Sequence, residues 1–314
     1  MLKKSLGVAL KLGVSVALIW YLLRDIDVDA AQARLQQADP VWLLVSVLLF
    51  FAQFLLGGAR WSAVSRAINA SLSFAEALRM FVIGAFFNQA LPGGTGGDAV
   101  RVYMSYKGGL ELRGAINGVL LERGATVLAL VLMVDIAQPF FQARVDASAS
   151  EWILSSAIIL TLAAIGGMAF IMVMDRYVDK FQQWRVVRAF SYLSQDMRSV
   201  FLNPKNALVV LSWGLITHIN FSLIVYFLAM SLDLNVTVLD CLMLVPPVLL
   251  IIVIPISIGG WGVRETAMIT AFGLVGVPSE GALVLSILVG LVGLMVSLPG
   301  GLVWLLSKER SQGV

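Results

Sequence analysis

Apolar residues fall in blocks of membrane-spanning length, separated by short polar segments. Six blocks stand out: Leu6–Leu23, Val41–Ala59, Ala115–Ala137, Trp152–Met174, Ala207–Met230 and Gly281–Leu306. At about 1.5 Å per helical residue, each spans roughly 30 Å of hydrocarbon or comes close to it. Four shorter helices lie between them. Ala75–Leu91 and Asp98–Lys107 form one pair; Val238–Ile254 and Val263–Leu274 form the other. Within residues 175–206, Val186, Phe190, Leu193, Met197 and Val200 recur at steps of three and four. That pattern predicts an amphipathic helix, lying in the membrane interface or packed on the bundle. The fold class is therefore all-α: a polytopic membrane protein with about six full spans and two broken, re-entrant hairpins.

Both hairpins break at a Pro- and Gly-rich stretch. The first runs Asn88-Gln89-Ala90-Leu91-Pro92-Gly93-Gly94-Thr95-Gly96-Gly97-Asp98-Ala99-Val100-Arg101. The second runs Pro255-Ile256-Ser257-Ile258-Gly259-Gly260-Trp261-Gly262-Val263-Arg264-Glu265. With Pro92 and Pro255 superposed, a Gly-Gly pair follows four and five residues on in both, and an arginine nine residues on. Such backbone cannot face lipid, because its freed amides would be unsatisfied there. The breaks are expected to be buried in protein or to line a wet cavity.

Composition agrees with this class. Apolar residues make up 59% of the 314 and charged residues 13%, far from the balance of a soluble domain. The net charge is only +3, so nucleic acid is not an expected partner. The placement of the charges says more than their sum. If the loop carrying Asp25, Asp27, Asp29 and Asp39 is outside, 16 of the 22 Lys and Arg residues fall on the cytoplasmic side. Both termini are then cytoplasmic. The first hairpin opens inward and the second outward, as an inverted-topology repeat requires. The corresponding division is residues 1–40 as first span and outer loop, 41–174 as one repeat half, 175–206 as a cytoplasmic amphipathic linker, and 207–314 as the other half. Trp20, Trp42, Trp61, Trp152 and Trp304 fall near span ends and read as interface anchors. Ser73 and Glu76 have capping-box spacing ahead of Ala75–Leu91.

Intramembrane charges are costly and need a partner or a role. Here they are Asp98, Arg101, Glu122, Arg123, Arg264 and Glu265. One reading is mutual neutralisation that fixes the hairpins to the bundle. The other begins from the two short helices, whose N-terminal amides follow the breaks and suit an anion. Arg101 and Arg264 would supply guanidinium forks for a phosphate. Gly93, Gly94, Gly96, Gly97, Gly259 and Gly260 would let a headgroup approach the backbone, with Asn88, Thr95 and Trp261 in support. His218, the single histidine, fits an interhelical hydrogen bond or a proton relay. No cofactor or metal is expected: Cys241 is the single cysteine, and the Gly-Lys-Ser/Thr element of a nucleotide-binding loop is missing.

On these residues the chain resembles the family of lysylphosphatidylglycerol synthase transmembrane regions, also called flippase-like domain proteins. The resemblance rests on Asn88 with Leu91 to Asp98 and Arg101, on Glu122-Arg123, and on Pro255 to Glu265. It extends over nearly the whole chain. It implies a multi-pass protein of the bacterial inner membrane that handles lipid. Larger relatives join this module to a cytoplasmic domain that aminoacylates phosphatidylglycerol. That domain is not expected here, so aminoacyl transfer is not the expected activity. The expected partner is a membrane phospholipid or lipid-linked substrate, with a homo-oligomer or a lipid-modifying enzyme as further partners. The leading expectation is a translocase or carrier for an anionic lipid headgroup. Two alternatives stay open: a membrane transferase acting on a phospholipid or polyprenyl-phosphate, and an ion-coupled transporter of a small anion.

Overall fold

The computed structural model describes residues 28–90, 96–144, 147–178, 183–254 and 260–307. The expected span Leu6–Leu23 lies outside them, as do Leu91–Thr95 and Pro255–Gly259 at the two breaks. Among the described residues there are eleven helices and no strands. They are α1 (Val28–Gln36), α2 (Pro40–Ala67), α3 (Phe74–Ala90), α4 (Gly96–Lys107), α5 (Leu112–Arg144) and α6 (Ala147–Val178). Then follow α7 (Arg185–Phe201), α8 (Pro204–Ser231), α9 (Val238–Val253), α10 (Val263–Gly273) and α11 (Ser279–Leu306). The chain is an all-helical polytopic membrane protein.

Among the described residues, four segments are long and apolar enough to cross a bilayer: Pro40–Ala67, Leu154–Arg176, Pro204–Ser231 and Ser279–Leu306. α5 has the length, at 33 residues, but carries Glu122, Arg123 and Asp135 along it. The short helices keep the expected pairing, α3 with α4 and α9 with α10, on either side of the two breaks.

Local chemistry sets the helix ends. Asp39 accepts from the Val41 amide at 2.7 Å, and proline follows it at the first position of α2. α3 starts on the expected capping box: Ser73 N–H donates to Glu76 Oε2 at 2.9 Å, and Glu76 N–H to Ser73 Oγ at 3.3 Å. α9 starts on a second box, between Thr237 and Asp240. It continues through Pro246 and Pro247, which lie inside it. α2, α4, α8 and α10 close alike, on a residue with positive φ: Asn69, Gly109, Asp233 and Gly276. In each case the next amide donates five residues back, as Ala70 N–H does to Ser65 O at 2.9 Å.

Two compact units interleave along the chain. The first holds residues up to Phe54, Val82–Asp98, and everything from His218 on; the second holds Leu55–Phe81 and Ala99–Thr217. In the first unit, α11 packs on α10 and α1, and 67% of its most apolar stretch is buried, so it is the central helix. In the second, Ala63 and Val64 of α2 meet Leu121 and Ala125 of α5, Met197 and Val200 of α7, and Val210 of α8. α6 is the outlying span there, with only 6% of its apolar stretch buried.

That core decides between the two readings of the amphipathic helix. Leu193, Met197 and Val200 of α7 turn into the bundle. Polar contacts fix the rest: Arg113 and Asn117 of α5 both donate to Asp196 at 2.6 Å, and Ser194 Oγ donates to Ile171 O at 2.6 Å. Arg198 Nη1 donates to Asp175 at 2.9 Å, and this hydrogen bond raises the guanidinium pKa further. Phe190, expected on the same apolar face, is exposed.

Candidate functional site

Each short helix that follows a break carries its arginine into a different setting. In the second unit Arg101 is 3% exposed. Its Nη1 donates to Glu122 Oε2 at 3.2 Å. The other carboxylate oxygen accepts from Arg60 Nε at 2.7 Å, and Arg60 Nη2 pairs with it as well. The Arg101 guanidinium lies over the Trp61 ring, 4.1 Å from its centroid, with Phe81 at 5.0 Å. Glu122 and Trp61 are each 1% exposed. Arg60, Trp61, Arg101 and Glu122 thus come from three helices, α2, α4 and α5, and close on one another. Truncating a charged member of such a group strands a buried charge, which costs about 3–5 kcal/mol.

Two of these four residues carry a different expectation from sequence. Arg60, one residue past the expected span Val41–Ala59, is one of the 16 basic residues placed on the cytoplasmic side, and Trp61 reads as an interface anchor. The structure buries both. α2 runs to Ala67, eight residues beyond the expected end at Ala59, so Arg60 and Trp61 sit within the helix instead of at its mouth. Gly57 and Gly58 are the signal that marks this place. A Cβ on Gly57 would meet the Phe81 ring at 2.2 Å, and one on Gly58 the Leu78 backbone at 2.9 Å, so α3 lies directly on α2. Arg123, next to Glu122, faces outward and is exposed.

In the first unit Arg264 is held by its own neighbour. Glu265 Oε1 accepts from Arg264 Nε at 3.1 Å and Nη2 at 2.7 Å; Ser286 Oγ of α11 accepts from Nε at 3.2 Å. Glu265 Oε2 accepts from the Gly262 amide at 2.6 Å, which caps α10. Glu265 therefore serves the helix end and the guanidinium at once. The Trp261 ring lies 4.7 Å from the guanidinium carbon. Gly260 and Gly262, at φ +80 and +84, let the chain turn into α10. Among the described residues, no protein group accepts from Arg264 Nη1.

The guanidinium borders a cavity of about 180 Å³. Its walls are apolar: Phe50 of α2, Phe221 and Val225 of α8, Val245, Val248, Leu249 and Ile252 of α9, Met268 of α10 and Val289 of α11. Polar atoms reach it from Arg264 and Gln89. Gly290 forms the floor under the arginine. A Cβ there would meet Nη2 at 2.4 Å and both Cζ and Nη1 at 2.9 Å. Nothing in the sequence pattern singles out Gly290, which lies in the middle of an apolar span.

The remaining candidates are placed as follows. Asn88 Oδ1 accepts from the Gly97 amide at 2.8 Å, bridging the first break, and Gly97 lies so close to Gly84 O that a Cβ would meet it at 1.9 Å. Asp98 is half-buried at the start of α4. Gly96 opens the same helix. Gly93, Gly94, Thr95 and Gly259 lie outside the described residues. His218 is buried in α8. Among the described residues, no three His, Cys, Asp or Glu side chains come together as metal ligands.

The sequence profile of the lysylphosphatidylglycerol synthase transmembrane region matches residues 8–300. The chain belongs to this family. It is also similar to a UPF0104 membrane protein of Methanothermobacter thermautotrophicus, at 25% identity over 87% of this chain and 88% of the relative. A second UPF0104 membrane protein, from Pyrococcus horikoshii, is 28% identical over 37% of this chain and 33% of its own length. The match includes both breaks, both arginine centres and every helix from α1 to α10.

Proposed function

We propose that this family member is a lipid translocase or lipid-binding carrier in which Arg264 receives the phosphate of a lipid headgroup. The observation that carries the reading is that, among the described residues, no group accepts from Arg264 Nη1. This nitrogen belongs to a guanidinium pinned on its other edge by Glu265 and Ser286, and it borders a cavity with otherwise apolar walls. A pinned fork loses little freedom on binding, and a charge-assisted hydrogen bond in a poorly hydrated cavity is strong. Apolar walls suit the lipid portion next to the phosphate. Family membership supports the lipid; the family is named for the transmembrane region of lysylphosphatidylglycerol synthase.

In this reading the two hairpins enter from opposite faces as an inverted repeat, with both termini in the cytoplasm of a cell whose inner membrane holds the protein. The support is the shared spacing of Pro, Gly-Gly and Arg, together with the bias of Lys and Arg toward one set of loops. Arg101 then serves as the structural counterpart of Arg264.

Purified protein in liposomes with headgroup-labelled lipids tests the function. The expected outcome is that labels on anionic lipids become accessible across the bilayer with the natural chain and far more slowly with Arg264→Gln. Equal rates for the two chains would refute the assignment of Arg264. Single-cysteine labelling, in a background lacking Cys241, tests the orientation: Ser71→Cys reacts from the cytoplasmic side and Asn235→Cys from the opposite side. Reaction of both from one side removes the inverted repeat.

A further inference from the structure

The charge inventory of the Arg264 cavity goes further than the identity of its arginine. We infer that the site selects a lipid phosphodiester, with one negative charge, over a lipid phosphomonoester, with two. This rests on the reading of Arg264 as the phosphate contact.

The cavity brings no net charge to a ligand. Among the described residues, Arg264 is the single charged residue that lines it, and Glu265 already balances it through two hydrogen bonds. The N-terminus of α10, about half a positive charge, is capped by the same carboxylate through Gly262. Both Glu265 oxygens are engaged, and the carboxylate is 2% exposed. Gln89 adds a neutral amide. A diester therefore leaves one excess charge in the pocket, offset in part by the helix end and by the open guanidinium edge. A monoester at neutral pH carries close to two. Its stronger acceptor oxygens cannot recover the difference, because one full edge of the fork stays with Glu265. An added uncompensated charge in a hydrocarbon-walled cavity is the larger effect, and it translates to about tenfold weaker binding or more.

The second ionisation of a phosphomonoester, near pH 6, gives this selection its own signature. As pH falls through that value, the monoester becomes a monoanion and the discrimination closes. The protein groups facing Arg264 do not confuse this signature. Among the described residues, Glu265 is the one titratable side chain in contact with it; Phe221 and Val225 from α8, Val248 and Ile252 from α9, and Ser286 and Gly290 from α11 carry no titratable group in this range. His218 lies one turn before Phe221 in α8; its protonation would act more strongly on a dianion than on a monoanion, so the pH comparison is repeated with His218→Asn, where the same narrowing is expected.

The test uses the full chain in nanodiscs of neutral phosphatidylcholine. A fluorescent-acyl phosphatidylglycerol is displaced by unlabelled phosphatidylglycerol or by phosphatidic acid, at pH 8 and at pH 5.5. The expected result is about tenfold weaker displacement by phosphatidic acid at pH 8, a gap that narrows severalfold at pH 5.5, and little change for phosphatidylglycerol. Arg264→Gln weakens both lipids, and so does Gly290→Ala, which removes no charged group but shifts the guanidinium. Equal or tighter binding of phosphatidic acid at pH 8, still dependent on Arg264 and Gly290, overturns the charge selection and leaves the site standing. So does a gap that pH does not change. If neither variant alters the binding of either lipid, the underlying assignment of Arg264 fails instead.

Discussion

The two arginine centres share a sequence pattern and differ in where the carboxylate comes from. Arg101 takes Glu122 from another helix, shares it with Arg60 from a third, and is sealed under Trp61. Arg264 takes Glu265 from its own helix, one residue on, and rests on the floor that Gly290 leaves open. A carboxylate from a distant helix ties the arginine's own helix to the bundle. A carboxylate from the adjacent residue ties the arginine from behind and leaves its front to a cavity. Nine residues from proline to arginine therefore places a guanidinium near a break, and the source of its counter-charge decides whether it locks or binds.

The sharpest way to break the comparison is to remove the lock. Glu122→Gln leaves the Arg60 and Arg101 guanidinium groups without their shared anion and is expected to destabilise the protein by about 3–5 kcal/mol. Loss of the folded fraction on heating in detergent is the measurement; a Tm within a few degrees of the natural chain refutes the lock. The matching change at the other centre, Arg264→Gln, leaves the buried Glu265 carboxylate with the Gly262 amide and the Ser286 hydroxyl as donors; it is expected to lower the Tm less than Glu122→Gln does and to weaken anionic-lipid binding by about 2 kcal/mol in the protein that stays folded, as for a lost hydrogen bond to a charged group. Arg264→Lys recovers part of that loss, since an ammonium lacks the fork. Gly290→Ala sharpens the contrast further. Its methyl displaces the guanidinium and is expected to cost about 1 kcal/mol of lipid binding with the ion pair unbroken, measured by titration in nanodiscs. A Gly290→Ala protein that binds as the natural one does removes the floor from the argument.

The smallest expected effect lies at the exposed start of α3. Ser73→Ala removes the cap and costs about 1 kcal/mol, read as faster amide exchange in the first turn of α3. The hydrogen bonds from the Ser73 side chain and amide hold the Glu76 carboxyl below its usual range. A depressed folded value means that the stabilisation is present above the ordinary carboxylate range and is lost as pH falls through the folded one. The difference between natural and Ser73→Ala exchange is therefore expected to shrink in acid; a difference that grows there contradicts it.

The helices were readable from apolar block lengths and stop signals, because a bilayer imposes length and internal hydrogen bonding on every span. Gly108-Gly109 ended α4 and the Ser73–Glu76 box began α3 as their residues required. The charged centres were readable only in part. Arg101, Glu122, Arg264 and Glu265 stand out because charge inside an apolar block is rare. Arg60 and Trp61 do not, because the same residue types mark a span end, and only the full length of α2 separates the two cases. Gly290 carries no signal at all: its importance is the absence of a side chain where another helix delivers one. Pairings between distant helices are set by tertiary packing, which periodicity along one segment does not encode.

The adjacent Pro246 and Pro247 in α9 have a mechanical consequence for the cavity they stand beside. Neither residue can donate to the carbonyl four positions back, so the rungs to Leu242 and Met243 are missing from a helix of 16 residues. Val245, Val248, Leu249 and Ile252 of that helix form one side of the cavity. The walls from α8 and α11 have no such gap at their lining residues. Stiffness is thus distributed unevenly around the chamber, and α9 is the side that yields to a bulkier occupant at the lowest elastic cost.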